Sequence, residues 1–154
     1  LRLPESPSMI ASFDQDLEES HMAPDIRPEK KSPREGVVIK AADGALRGGD
    51  WKGSISADAL DTGAFMIFVS ADEPGKGPDW HVHPYDELFI ITKGRARFKV
   101  GDKSFEVEEG DVVMGPANVP HKYKNCGTGP LQSIDIHLSR EWIQTDLQDP
   151  EAQA

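Results

Sequence analysis

His81-Val82-His83-Pro84-Tyr85-Asp86-Glu87 is the stretch on which the reading of this chain turns. Two histidines one residue apart on a strand project to the same side, because successive strand side chains alternate between faces. Glu87 stands four residues beyond His83 and shares that face if the strand continues. His121 supplies a third imidazole further along. Three neutral imidazoles and a carboxylate converging on one point make a first-row transition-metal site, with positions left open for water, dioxygen or a substrate.

The spacing is more specific than the set of residue types. One segment runs Gly75, five residues, His81, one residue, His83, three residues, Glu87, six residues, Gly94. A second runs Gly110, five residues, Pro116, one residue, Asn118, two residues, His121, three residues, Asn125. Together they closely resemble the two signature motifs of the cupin superfamily. The first matches at every defining position, whereas the second has Asn118 where the family usually has glycine. Asn is the next most tolerated residue at positive φ in a tight turn, so the departure touches the turn and not the ligand. The resemblance covers residues 75–125 directly. It implies an all-β fold, a jelly-roll-like double-stranded β-helix barrel over residues 36–139. It also implies one divalent transition metal per chain in the barrel mouth, held by His81, His83, Glu87 and His121. Alone, the His-x-His pair would read as two surface imidazoles; Glu87 and His121 at the family spacing reverse that. Nitrogen and carboxylate ligands suit Fe, Mn, Ni, Co, Cu or Zn alike.

The bulk numbers agree with a small all-β domain. A chain of 154 residues predicts a single domain. Hydrophobic content of 37%, with 14 Gly and 12 Pro, suits many turns around one core. The single cysteine, Cys126, excludes an intramolecular disulfide and fits a reducing cytoplasm. No apolar run approaches a membrane span and no signal peptide is visible, so a cytoplasmic protein is expected. The net charge of −10 argues against a nucleic-acid partner, which needs a basic surface. A small-molecule ligand is the expected partner.

Along the chain, residues 1–35 carry Pro4, Pro7, Pro24, Pro28 and Pro33 without sustained periodicity, and read as an arm. Ser20-His21-Met22 looks like the end of a vector-derived leader over residues 1–22, and His21 is not a ligand candidate. Strand-like segments follow at 37–39, 51–56, 64–70, 86–92, 95–100, 103–107, 112–114, 121–125 and 131–138, separated by Gly- and Pro-rich turns. After Leu138, Ser139 is a plausible N-cap, and Arg140 to Leu147 is expected to form a short helix within a 140–154 tail.

Alternation assigns faces. Ala96, Phe98 and Val100 face one way and Arg95, Arg97 and Lys99 the other. Glu87 shares its face with Phe89 and Ile91, and Tyr123 shares the face of His121. Phe89, Ile91, Phe98 and Met114 are therefore expected to shape a mostly apolar pocket. Its polar groups should be few: Tyr123 and Asn125. Phe65 to Val69 and Leu88 to Ile91 are apolar on both faces, which a single small sheet cannot bury. A homodimer packed through an outer sheet face is expected, a pattern common among cupins.

Tyr123 is the candidate catalytic residue beside the metal, donating a hydrogen bond or acting as an acid; filling the barrel is the equal alternative. His137 shares a face with Asp135, opposite Ile134, Ile136 and Leu138. His137 reads either as a base or substrate contact near the metal, oriented by Asp135, or as a solvated or dimer-face residue; with the apolar face inward, the latter is expected. Cys126 sits in a turn and reads as incidental. Trp80 and Tyr85 flank the histidine pair and either line the mouth or pack; Trp51 and Trp142 read as packing. Basic residues on outward faces count against a sugar-phosphate substrate, whose clamps belong inside.

These features predict a metal-dependent enzyme, oxygenase-like, acting on a small, partly apolar or aromatic metabolite. A metal-dependent isomerase or lyase is the nearest alternative, and a non-catalytic small-molecule-binding cupin the next. No helix-turn-helix pattern supports a transcriptional role.

Overall fold

A computed structural model describes residues 35–46 and 49–152. The expected arm over 1–35, its leader and His21 lie, but for Glu35, outside the described residues. Among the described residues, the unit from Val37 onward holds ten strands in two five-stranded antiparallel sheets. The first sheet, in spatial order, is β1 (Gly53–Ile55), β2 (Phe65–Ala71), β9 (Leu131–His137), β4 (Glu87–Lys93) and β7 (Val112–Gly115). The second is β10 (Thr145–Asp146), β3 (His81–Val82), β8 (His121–Asn125), β5 (Arg95–Val100) and β6 (Lys103–Glu108). Non-consecutive neighbours in both sheets give the jelly-roll-like crossing expected of the all-β fold. The sheets do not join into a closed barrel; each ends in its own edge strands.

The period-two pattern makes the two layers. In β8, His121, Tyr123 and Asn125 are buried while Lys122 and Lys124 face outward, and β5 buries Ala96 and Phe98 in the same way. Phe89 and Ile91 of β4 answer from the opposite sheet. The core is Ala71, Phe89, Ile91, Ala96, Phe98, Val113, Tyr123 and Leu131. Phe98 stacks on Tyr123 at 4.6 Å and meets Phe89 edge-on at 5.2 Å, joining the sheets by aromatic contact. Burying each of these rings contributes roughly 2–3 kcal/mol.

Turn chemistry sets the hairpins. Gly94 sits at φ +83, where an added Cβ would lie 2.5 Å from the Pro130 carbonyl oxygen. Asn118 does adopt positive φ, at 60, so asparagine serves where the family usually has glycine. Asn125 staples the following turn, donating to the Ala71 and Gly129 carbonyls and accepting from Gly127 N–H.

Four local expectations are corrected. Residues 37–39 form no strand, and a short helix α1 (Ala57–Leu60), capped by Ser56, precedes β2. The chain turns after His83, so Glu87 does not continue the histidine strand but opens β4 in the opposite sheet. Residues 140–147 form no helix. Their backbone is taken by tertiary partners: the Ile143 carbonyl by His83, Ile143 N–H by the Tyr85 hydroxyl, and Leu147 N–H by the Trp80 carbonyl. Thr145 and Asp146 then pair with β3 as an edge strand, so tertiary bonding overrides helical propensity. Met114 is 52% exposed on the outer face of β7, because Val113 and Gly115 are the inward residues there. It does not line the pocket. No helix among the described residues is long and apolar enough to cross a membrane.

Candidate metal centre

Four elements bring the predicted ligands together. His81 comes from β3 and His121 from β8, which pair directly opposite each other. His83 follows β3, and Glu87 begins β4 across the interior. All four side chains are buried, and one donor atom from each lies within 4.8 Å of the others.

Hydrogen bonds outside this cluster decide what its imidazoles can do. The Nδ1 of His81 is 2.6 Å from the Asp79 carbonyl, that of His83 2.7 Å from Ile143 O, and that of His121 3.0 Å from Val119 O. A carbonyl only accepts, so each Nδ1 carries the proton and each neutral ring turns a lone pair inward on Nε2. Those lone pairs meet the Glu87 carboxylate. Its Oε2 lies 3.0 Å from His121 Nε2 and 3.2 Å from His83 Nε2, and the latter nitrogen makes no hydrogen bond. Acceptor facing acceptor in a buried site requires a cation, either protons or a metal ion. The donor set therefore fits a divalent transition metal on chemistry as well as on distance.

The electrostatics follow the same logic. Burial pushes the Glu87 carboxyl up, but the His121, His137 and His83 imidazoles set against it outweigh burial and hold the group well below the usual carboxylate range. Burial, with the neighbouring imidazoles, lowers His81 despite its bond to Asp79. For His83 burial also acts downward, yet Glu87 and the Ile143 carbonyl carry it upward.

His137 corrects the sequence reading. It is 2% exposed, and its Nε2–H donates to Glu87 Oε1 at 3.0 Å. Leu131, Ser133, Asp135 and His137 form the inner face of β9, while Ile134 and Ile136 form the outer face and Leu138 is exposed beyond the strand. The apolar face points outward because the neighbouring strand is apolar there too, with Leu88 and Ile90 of β4 beside Ile136 and Ile134. The interior is thus more polar than expected. The signal in the sequence was Ser133-x-Asp135-x-His137, three polar groups at strand spacing.

Asp135 and Tyr123 form a second buried group with Ser133. Tyr123 Oη lies 2.8 Å from Asp135 Oδ2 and 2.8 Å from Ser133 Oγ, and Ser133 Oγ is 2.6 Å from Asp135 Oδ1. Two hydroxyls supply two protons for three oxygen–oxygen contacts, so the closed ring is complete when Asp135 keeps its own proton. Burial, reinforced by the Glu87 charge, raises the Asp135 carboxyl to about 7 against opposing bonds from Ser133 and Tyr123. Burial also lifts the Tyr123 phenol well above its ordinary value.

A cavity of about 550 Å³ opens onto the centre, lined by His81, Glu87, Asp135 and His137 and walled by Ile67, Val69, Phe89, Trp80 and Trp142. Of the expected pocket residues, Phe89 lines it, whereas Ile91 and Phe98 belong to the core. Trp142 is part of the site, its ring 5.1 Å from His137 and 6.0 Å from His83. Tyr85 stacks on His83 at 5.0 Å.

The chain is similar to several known proteins. The family described as Cupin domain matches residues 68–137. The polyketide synthase CurC of Streptomyces cyaneus is 24% identical over 112 residues, covering 72% of each chain. An uncharacterised protein of Streptomyces coelicolor is 31% identical over 74 residues, 42% of this chain and 70% of that protein. Among solved structures, Bacillus subtilis oxalate decarboxylase, studied for its Mn(II) centres, superposes with a TM-score of 0.57 at 23% identity over 62% of this chain. This chain spans 27% of the length of that decarboxylase. An uncharacterised double-stranded β-helix protein of Klebsiella pneumoniae gives a TM-score of 0.56 at 16% identity, covering 64% of this chain and 84% of that one. With the His and Glu side chains of both motifs gathered in one buried cluster, the chain contains a cupin domain over residues 68–137.

Proposed function

We propose that the protein is a metal-dependent enzyme that moves a proton on a small metabolite, the chemistry of isomerases and lyases. One observation carries this reading: Asp135, a carboxyl buried in the wall of the same cavity that His81 and Glu87 line. Burial raises this carboxyl, the direction that suits a group giving and taking a proton during turnover. Ser133 and Tyr123 fix its orientation, and His137 fixes that of Glu87. Ile67, Val69 and Trp142 supply an apolar part of the cavity wall. A metal bound by His81, His83, Glu87 and His121 supplies Lewis acidity toward a substrate oxygen. Manganese is a candidate for that metal, since the Bacillus subtilis neighbour has Mn(II) centres.

Oxygenase chemistry is the second reading. The apolar wall of Ile67, Val69 and Phe89 supports it, as does a ligand set that leaves positions open. The test uses a panel of enolisable carbonyl compounds in deuterated buffer with metal-loaded protein. Deuterium incorporation that persists without oxygen, and falls by about 10²-fold or more in Asp135→Asn, supports proton transfer. Turnover that stops without oxygen supports the oxygenase.

A further inference from the structure

Resting on the metal-enzyme reading above, we propose that the cavity accepts a ligand with an apolar or aromatic body and at most one negative charge, and that it rejects dianions. No lysine or arginine lines the cavity among the described residues. Its acids are Asp79, Glu87, Asp135 and Asp146.

Three lysines near its rim are committed elsewhere. Lys124 bonds Asp79 and the Gly77 carbonyl. Lys99 lies over the Trp80 ring, 5.6 Å from its centroid, and bonds Glu151. Lys122 is held by Asp149 and Glu151. All three lysines occur at positions that alternate with buried residues of β5 or β8, so they belong to the outer face of the second sheet.

Charge counting then limits the ligand. A divalent ion on the single carboxylate of Glu87 leaves a net +1, with the three imidazoles neutral. One negative charge on a ligand oxygen cancels it. A second would stand in a partly desolvated cavity whose lining includes Asp146 and no cation, which is costly. Sites for dicarboxylates and phosphates use arginine or lysine clamps, and this one has none. The Ile67, Val69, Phe89 and Trp142 wall gains instead from covering a hydrophobic body.

Mandelate and phenylmalonate form a matched pair: one phenyl body, two oxygen donors to a metal, one negative charge against two. Calorimetry on the full chain loaded with zinc should show mandelate binding at least about tenfold more tightly than phenylmalonate. Gln144→Arg, and separately Val69→Arg, each placing a cation in the lining, should narrow that ratio about tenfold or reverse it with zinc stoichiometry unchanged. Equal or tighter phenylmalonate binding by the unmodified protein overturns the proposal, as does binding of neither compound. Failure of the chain to take up zinc is a failure of the metal reading itself, and the titration that precedes calorimetry detects it separately.

Discussion

The Nε2 of His137 stands 3.0 Å from Oε1 of Glu87, while His121 and His83 approach the other oxygen, Oε2. One carboxylate is therefore held from both ends, with Oε1 anchored to β9 and Oε2 left for the cluster. Phe65 stacks on His137 at 4.4 Å with rings nearly parallel, which fixes the imidazole.

Removing that anchor should loosen the metal without deleting a ligand. His137→Phe is expected to weaken metal binding by about 10- to 100-fold, the usual effect of losing a partner that orients a ligand. His137→Gln, which keeps an N–H donor, should lose less. Competition with a chromophoric chelator measures both. Unchanged affinity in His137→Phe would show that Glu87 does not depend on it.

Asp135 makes the metal-free protein sensitive to pH. Its carboxyl is raised from 3.8 to about 7, so the folded state binds this proton more tightly than the unfolded chain. The stability this proton provides is fully present below the ordinary value and is lost as pH rises through about 7. The groups facing it are Ser133 and His137 on its own strand, Glu87 on β4 and Tyr123 on β8. Asp135→Asn keeps a neutral donor and acceptor there, and should flatten the decline by an amount on the order of a few kcal/mol. Chemical denaturation across this range tests it; parallel curves for the two proteins would remove Asp135 as the cause.

Gly94 is fixed by geometry and not by the metal. Alanine there would hold positive φ and drive its Cβ toward the Pro130 carbonyl. Gly94→Ala should cost about 1–3 kcal/mol in thermal or urea unfolding, with metal stoichiometry intact. A loss of under about 0.5 kcal/mol would mean that the turn adapts.

The outer face of the first sheet exposes Val112 and Met114, beside Leu88 and Ile90. A homodimer through this face is expected by light scattering at micromolar concentration, with Met114→Lys shifting it toward monomer. A monomeric unmodified protein would contradict this expectation.

The metal cluster was legible because its evidence is spacing. His81, His83, Glu87 and His121 are fixed by two short motifs, whichever strand or turn carries each of them. The strands read well wherever alternation was strict, as in β5 and β8, whose observed ends match the expected ones. Face assignment failed on β9. Ile134 and Ile136 looked like the core side, but an unusually apolar outer face on the first sheet reverses the rule. On that rule His137 and Asp135 fall on the outer face, whereas both are buried inside. The 140–147 segment departs from its expected helix for a different reason. Its backbone is claimed by His83, Tyr85 and Trp80, partners far away in sequence that no local pattern announces.

The direct test of the central claim is elemental analysis of protein purified without a polyhistidine tag or added metal, beside His81→Ala prepared identically. The account predicts close to one transition-metal ion per chain in the unmodified protein, or saturable uptake of one on titration, and loss of both in the variant. A folded protein that neither carries nor takes up metal would contradict it, leaving the inward lone pairs of His81, His83 and His121 to be satisfied by protons alone.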